Sequence, residues 1–342
     1  MTGVGQFAGD GATTHIAPHS RAAIIIPCIR IDPLTIKCVT TAHHLFPQAE
    51  ILVLADVADN EDVLAKLATV IVTGPVTIAK KRNLGAQRTN RPVIAFIDSD
   101  AYPECGWLDN AVKGLDDYPE AVAVAGPNVS PPNEPLSELY VGIALKSSCC
   151  ALDAHIQKRK GPQQFIANAP SCNFIIQRNV YMSLGGMDES LFGGEDIELC
   201  ARLTKESYLI LYLPDVLVYH KNRRLLPFIK QRLAFGGFIV NAITVTPSAK
   251  LLITLLPAWF VLFLLTGMLI PFVSWWGRVY IAIVGLYCLI LLVESLRHSP
   301  KLVYVPGAFI AMMVATTAPG IGIWAKLLRL LPHSKKFYRN DE

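Results

Sequence analysis

Along the first two-thirds of the chain, short runs of aliphatic residues alternate with longer stretches in which apolar positions recur every three or four residues. Such alternation predicts strands buried on both faces and joined by helices, an α/β sandwich around a largely parallel sheet. Ala22–Pro27 predicts the first strand, and Glu50–Ala55, Thr69–Thr73 and Val93–Asp98 the next three, with helices over Pro33–Phe46 and Val76–Thr89. Ala121–Gly126 and Val216–His220 read as further strands. The proline-rich stretch Pro127–Pro135 can be neither helix nor central strand, and predicts a loop over the binding edge at the strands' carboxyl ends.

The pattern changes after Lys250. Leu251–Val273 carries no charge and, at 1.5 Å per helical residue, is long enough to cross about 30 Å of hydrocarbon. Val279–Val293, extendable to Leu296, predicts a second crossing, and Leu302–Ala325 a third, interrupted at Pro319-Gly320. Trp275, Trp276 and Trp324 suit interfacial depths. Between Lys221 and Lys250 there is no acidic residue, whereas Lys221, Arg223, Arg224, Lys230, Arg232 and Lys250 are all basic. With Phe228, Leu233, Phe235 and Phe238 interleaved, this stretch predicts an amphipathic helix on an anionic cytoplasmic surface. The expected organisation is a flexible N-terminus over 1–20, an α/β domain over 21–222, an interfacial segment over 223–248, about three transmembrane or re-entrant helices over 249–325 and a basic tail over 326–342. Three full crossings would leave Lys326, Arg329, Lys335, Lys336 and Arg339 outside, against the positive-inside tendency, unless the third segment is re-entrant.

Composition sharpens this picture. A chain 52% hydrophobic and only 17% charged is not a uniformly soluble protein. A net charge of +4 is too small for a nucleic-acid-binding surface, so no nucleic-acid partner is expected. The eight cysteines show no Cys-x-x-Cys pair or zinc-like spacing and read as reduced, mostly buried thiols. The first twenty residues lack an apolar run, so the expectation is a multi-pass protein of the inner (cytoplasmic) membrane with its α/β domain in the cytoplasm.

Two acidic motifs carry candidate chemistry. Val93–Ile97 runs into Asp98-Ser99-Asp100, two carboxylates that can face one hard divalent cation at a strand end. Taken alone, such residues are more often turn formers. Gly193-Gly194-Glu195-Asp196 opens a second motif, in which a carboxylate at a helix start can either answer the macrodipole or accept a proton from a hydroxyl. Lys80-Lys81-Arg82-Asn83 would singly be a solvated face, and His220 singly a structural histidine.

Their order carries more information. Pro27 after the first strand, Asp56 after the second, Arg82-Asn83-x-Gly85, Asp98-Ser99-Asp100, Asn173–Gly186, Gly194-Glu195-Asp196 and His220 together resemble the family 2 glycosyltransferases over about residues 20–240. The resemblance implies the GT-A fold, a Rossmann-like, mostly parallel sheet followed here by transmembrane helices, and a nucleotide-diphosphate sugar (UDP- or GDP-linked) as donor. It implies that Pro27, Asp56, Arg82, Asp98 and Glu195 contact the nucleotide sugar, Asp56 at the base and Arg82 at the diphosphate. It further implies that Asp100 and His220 hold Mg2+ or Mn2+, and that Asp196 is the base of an inverting single displacement. The membrane end resembles anchored transferases of exopolysaccharide or lipid-linked glycan assembly, with Arg223, Arg224, Lys230 and Arg232 facing a lipid-linked acceptor. A processive synthase is the weaker alternative, because Gln-x-x-Arg-Trp is replaced by Gln231-Arg232-Leu233-Ala234-Phe235. A non-catalytic scaffold of a glycan assembly complex would not need the carboxylates retained here, and an oligomer or a glycan assembly complex is the expected partner state, oligomerisation being what a processive synthase would require.

Overall fold

A computed structural model describes residues 17–150, 161–191, 193–245, 254–267, 269 and 274–330, without the side chains of 241–245. Parts of all five expected segments lie outside the described residues: 1–16 of the N-terminus, 151–160 and 192 of the α/β domain, 246–248 of the interfacial segment, 249–253, 268 and 270–273 of the apolar region, and 331–342 of the tail.

The α/β domain follows the alternating pattern closely. β1 (Ala22–Pro27), α1 (Pro33–Leu45), β2 (Glu50–Ala55), α2 (Glu61–Leu64), β3 (Thr69–Val72), α3 (Ile78–Arg88) and β4 (Val93–Ile97) form a parallel half-sheet in the order β3-β2-β1-β4. All six residues of β1 are buried, as a strand covered on both faces requires. Ile24 and Ile26 enter one core layer with Val39, Phe46 and Trp107, while Ile25 enters the other with Phe96, Tyr181 and Leu199. α1 starts where Asp32 accepts the Thr35 N–H at 2.8 Å with Pro33 behind it, and α3 where Thr77 accepts from Lys80.

The second half consists of β5 (Ala101–Pro103), α4 (Trp107–Asp117), β6 (Ala121–Ala125), β7 (Asn128–Val129), α5 (Leu136–Leu145), β8 (Gln164–Ile166), β9 (Asn173–Gln177), α6 (Arg178–Ser183), α7 (Glu195–Lys205), β10 (Leu209–Tyr212) and β11 (Val218–His220). The full sheet runs β3-β2-β1-β4-β9-β6-β10-β8, with β9 antiparallel to both neighbours and β8 antiparallel at the edge. β5, β11 and β7 form a separate small sheet. Two residues of the proline-rich loop, Asn128 and Val129, thus pair at its edge with Val218 and Tyr219.

Beyond the sheets lie α8 (Leu225–Val245), α9 (Leu256–Thr266), α10 (Trp275–His298) and α11 (Val305–Leu327). Among the described residues, two helices are long and apolar enough to cross a membrane: Trp275–His298, with mean hydropathy 2.3 and 11% of its apolar window buried, and Leu302–Leu327, with values of 1.6 and 50%. α9 spans 11 residues, about 16 Å. The interruption expected at Pro319-Gly320 does not occur, because α11 runs through it with both residues buried. Tight packing compensates for the hydrogen bond that proline removes. A Cβ on Gly322 would overlap the Leu233 carbonyl of α8, one on Gly236 the Pro319 carbonyl, and one on Gly320 the Pro257 carbonyl of α9. Close backbone approach through small residues is how apolar helices pack without a solvent-driven force.

Candidate active site

The site forms where strand registers bring distant residues to one sheet edge. β4 ends at Ile97, and its chain turns through Asp98-Ser99-Asp100, closed by the Ala101 N–H on the Asp98 carbonyl at 3.0 Å. β11 pairs antiparallel with β5 so that His220 faces Ala101. That register sets His220 Nε2 at 3.3 Å from Asp100 Oδ1 and 3.7 Å from Asp98 Oδ2. β9 runs antiparallel to β4 with Asn173 opposite Ile97, which carries Cys172 to Asp98. One ligand atom each from Asp98, Cys172 and His220 lies within 4.8 Å of the others. Two carboxylates and an imidazole converging in this way fit a divalent cation of the Mg2+ or Mn2+ kind.

Arg82, on α3, joins this group to the second motif. Its side chain is 2% exposed, with Nη2 donating to Asp98 Oδ1 at 2.7 Å and Nη1 to Glu195 Oε1 at 2.8 Å. Gly193 and Gly194 turn the chain into α7 at φ +105° and +81°, a region that disfavours side chains. Asp196 in the first turn accepts the Ile197 N–H at 2.8 Å on Oδ1 and the Ser171 N–H at 3.3 Å on Oδ2. Gly193 also has no room for a Cβ, because the Phe238 ring of α8 lies against it. A helix from the membrane end therefore touches the turn that carries Asp196.

The electrostatics separate the carboxylates. Burial opposes ionisation of Asp98, but the His220 hydrogen bond and the Arg82 and His220 charges outweigh it and hold its carboxyl down at about 2. Burial would lower His220, yet Asp100 and Asp98 raise it to about 9. Asp196 is pushed up to about 6 by burial and the neighbouring Glu195 charge, against the opposing pull of Arg82. A metal-side carboxylate that stays ionised and a second one poised near neutrality suit different tasks. Burial and then the Asp98, Asp100 and Asp196 charges raise the Cys172 thiol well above its ordinary value.

The other sequence-predicted residues fall around this centre. Pro27 closes the buried β1, and Asp56 sits just after β2 at 2.5 Å from Lys81 Nζ, which also donates to the Cys28 carbonyl. Arg223 and Arg224 precede α8. The Arg223 charge acts on both His220 and Arg232, and Arg224 Nε reaches Glu138 Oε1 at 3.3 Å. Lys230 is exposed on α8. Arg232 is instead wedged against the Phe228 and Phe235 rings, its Nε has no hydrogen-bond partner among the described residues, and burial lowers it to about 10.

Sequence reasoning did not single out Lys81 or Cys172. Lys81, Arg82 and Asn83, which taken singly read as a solvated face, are buried. Asn83 pins the Met187–Glu189 stretch, donating to the Met187 carbonyl at 2.9 Å and accepting from Met187 N–H and the Tyr181 hydroxyl. The signal lay in their small neighbours Ala79, Gly85 and Ala86, which mark the face of α3 that packs closest to the sheet, Gly85 against Ile25. Cys172 was grouped with the reduced, mostly buried thiols, and it is half-buried at the site. Of the other free cysteines, Cys28, Cys38, Cys150 and Cys200 are buried and Cys105 and Cys149 are exposed.

Fold and site define a GT-A-type sheet with a cation-ready carboxylate pair and a separate acid-base candidate. The family model described as "Glycosyltransferase like family 2" matches residues 73–245, half of the chain, and the protein belongs to that family. The chain is 30% identical over 163 residues to the pre-mycofactocin glycosyltransferase of Mycobacterium tuberculosis (strain CDC 1551 / Oshkosh), covering 46% of this chain and 33% of that one. It is 26% identical over 216 residues to the probable glycosyltransferase YdaM of Bacillus subtilis (strain 168), covering 59% and 50%. The chain thus spans a third to a half of these curated relatives. Among solved structures, the mannosyltransferase PcManGT of Pyrobaculum calidifontis, in complex with GDP-Man and Mn2+, superposes with a TM-score of 0.55 at 16% identity, over 90% of this chain and 87% of that one. That likeness shows the fold.

Proposed function

We propose that the protein is an inverting glycosyltransferase, moving one sugar from a nucleoside-diphosphate donor to a lipid-borne acceptor at a membrane surface. The observation that carries this reading is the Arg82 bridge, which fixes Asp98 beside Asp196's own neighbour Glu195 and so ties the cation side of the site to the base side. Family membership and relatives named as glycosyltransferases support the reaction class.

In this reading Asp98, Asp100 and His220 hold the divalent cation, for which the Mn2+ of the structural neighbour is a precedent. The cation, when bound, supplies positive charge to the departing diphosphate. Asp56, braced by Lys81, is proposed to read the nucleobase, with Pro27 at the end of the neighbouring strand β1. Arg82 holds Asp98 ionised and orients both Asp98 and Glu195, so its diphosphate role is exerted through them. Asp196 takes the proton of the acceptor hydroxyl as that oxygen attacks the anomeric carbon from the face opposite the leaving group. The configuration inverts in a single step.

Membrane placement rests on α10 and α11, with α8 as the element that meets the acceptor. Arg223 stands electrostatically between His220 and Arg232, so positive charge continues from the cation site onto α8, where an anionic lipid phosphate would be received. We place the protein in a cytoplasmic membrane with the α/β domain on the cytoplasmic side. The test is a panel of UDP- and GDP-sugars with the detergent-solubilised full chain and a polyprenyl-phosphate acceptor. Cation-dependent transfer giving a product of inverted anomeric configuration is expected, and a retained configuration or transfer indifferent to chelator would overturn the mechanism.

A further inference from the structure

Cys172 stands apart from the other cysteines in what surrounds it. Two strand registers make the arrangement. Asn173 opposite Ile97 brings the residue before one strand beside the residue after the other, Cys172 beside Asp98. His220 opposite Ala101 then adds an imidazole from a third strand. Oxygen, sulfur and nitrogen ligand atoms lie within 4.8 Å of one another. In a tetrahedral zinc site, bonds of about 2.0–2.3 Å place ligand atoms somewhat under 4 Å apart, so modest side-chain rotation closes the set. Asn128, 4% exposed, donates from Nδ2 to Cys172 Sγ at 3.1 Å and fixes the direction of the sulfur. Asn173 is pinned in turn by Trp107 Nε1 at 2.8 Å and by its own donation to the Val216 carbonyl at 2.8 Å. The thiol is therefore held at the site by its neighbours.

From this placement we propose that Cys172 is a sulfur ligand of the cation site, so that Asp98, Cys172 and His220 capture a thiophilic dication, Zn2+ or Cd2+, in competition with the hard cation that Asp98 and Asp100 favour. Thiolate selects the softer metals and carboxylate the harder ones, so one pocket presents two overlapping ligand sets. On coordination the thiol proton leaves to the buffer and the metal's fourth position stays open to solvent or a diphosphate oxygen. Because Asp98 belongs to both sets, the two cations exclude each other. The inference rests on the cation reading of this site and not on the transfer reaction.

The experiment uses the full chain in detergent with Cys105 and Cys149, both exposed, replaced by Ser. Cd2+ is titrated while the sulfur-to-cadmium charge-transfer absorbance is followed, and Mn2+ binding is measured by calorimetry on the same samples. One Cd2+ per chain with a sulfur band that Mn2+ displaces is expected. Cys172→Ser should remove the band and weaken Cd2+ and Zn2+ at least about tenfold, with Mn2+ affinity held within about threefold as the control for folding. Asp98→Asn should weaken both metals. A band that survives Cys172→Ser, or equal loss of Mn2+ and Cd2+ in that variant, overturns the proposal. A Cys172-dependent band in a chain that binds no nucleotide sugar would instead reject the transferase reading and leave this one standing.

Discussion

The position of Asp196 lets its role be read from a pH profile. With its carboxyl pushed up to about 6, about nine-tenths of the chains carry the ionised base at pH 7 and only about a tenth at pH 5. Transfer at saturating donor and cation should therefore fall about tenfold between those values, whereas an aspartate at its ordinary 3.8 would stay more than about nine-tenths ionised at pH 5. Asp98, held at about 2, stays ionised throughout, so the fall belongs to the base. Asp196→Asn should reduce turnover by about 10² or more with donor affinity nearly unchanged. It should also stabilise the protein near neutral pH. A folded pKa above the unfolded one means that the folded chain binds the extra proton, so stability declines as pH rises from about 4 to 6 and the penalty is complete above that window. The displacement from 3.8 to about 6 corresponds to at most about 3 kcal/mol, less for a group still in touch with solvent, and Asn removes it. Single-turnover transfer from pH 4.5 to 8, paired with thermal denaturation of both forms, reads both effects. An acidic limb with its midpoint below about pH 5, or a variant keeping more than a tenth of wild-type turnover, would refute the assignment.

Other substitutions probe the supports. Arg82→Lys keeps the charge but cannot span Asp98 and Glu195 with two nitrogens. It should lower stability by about 2–4 kcal/mol and, with the restraint on Asp196 weakened, move the acidic limb to higher pH, checked by denaturant titration and the same profile. Asp100→Ala should weaken donor binding strongly, and chelation of the wild type should reproduce the loss. Nucleotide binding unaffected by either would remove the cation from the mechanism. Lys230→Glu, on the exposed face of α8, should impair transfer to a lipid acceptor while sparing slow donor hydrolysis, measured side by side, and a parallel loss of both would reject an interfacial acceptor. Gly322→Leu, driven into the Leu233 carbonyl, should loosen α11 from α8 and lower the temperature at which the detergent-solubilised protein aggregates by several degrees.

Much of this was legible along the chain because local pattern and tertiary context agree. β1 and β2 start and stop where their buried runs do, since Pro27 ends one and Asp56 follows the other. The antiparallel insertion of β9 was not legible: Asn173–Gln177 reads as a buried strand in either direction, and only the path of the preceding chain decides its polarity. The same limit hid Cys172, whose neighbours are set by cross-strand register rather than by sequence spacing. Lys81 was not singled out, and Arg82 stood out only through the family resemblance, because charge is a surface signal unless partners are known, and theirs, Asp56, Asp98 and Glu195, lie 16 to 113 residues away or across the sheet. Pro319 was taken as a break because proline removes a hydrogen bond, a local rule overridden by glycine-mediated packing on two neighbouring helices.

The reversed polarity of β9 has a consequence for how such a protein changes over time. Strands that run with the sheet deliver to the binding edge whatever follows them, and those turns are tied to the next helix. β9 delivers what precedes it, the Pro170-Ser171-Cys172 turn, where one N–H meets Asp196 and one thiol meets Asp98. The chain feeding that turn, residues 161–170, carries only the short edge strand β8. Outside the β8 pairing and the buried Ala169, it holds no strand of the central sheet. That stretch beside Asp196 is where a loop graft from another glycosyltransferase would be spliced with least change to the central strands.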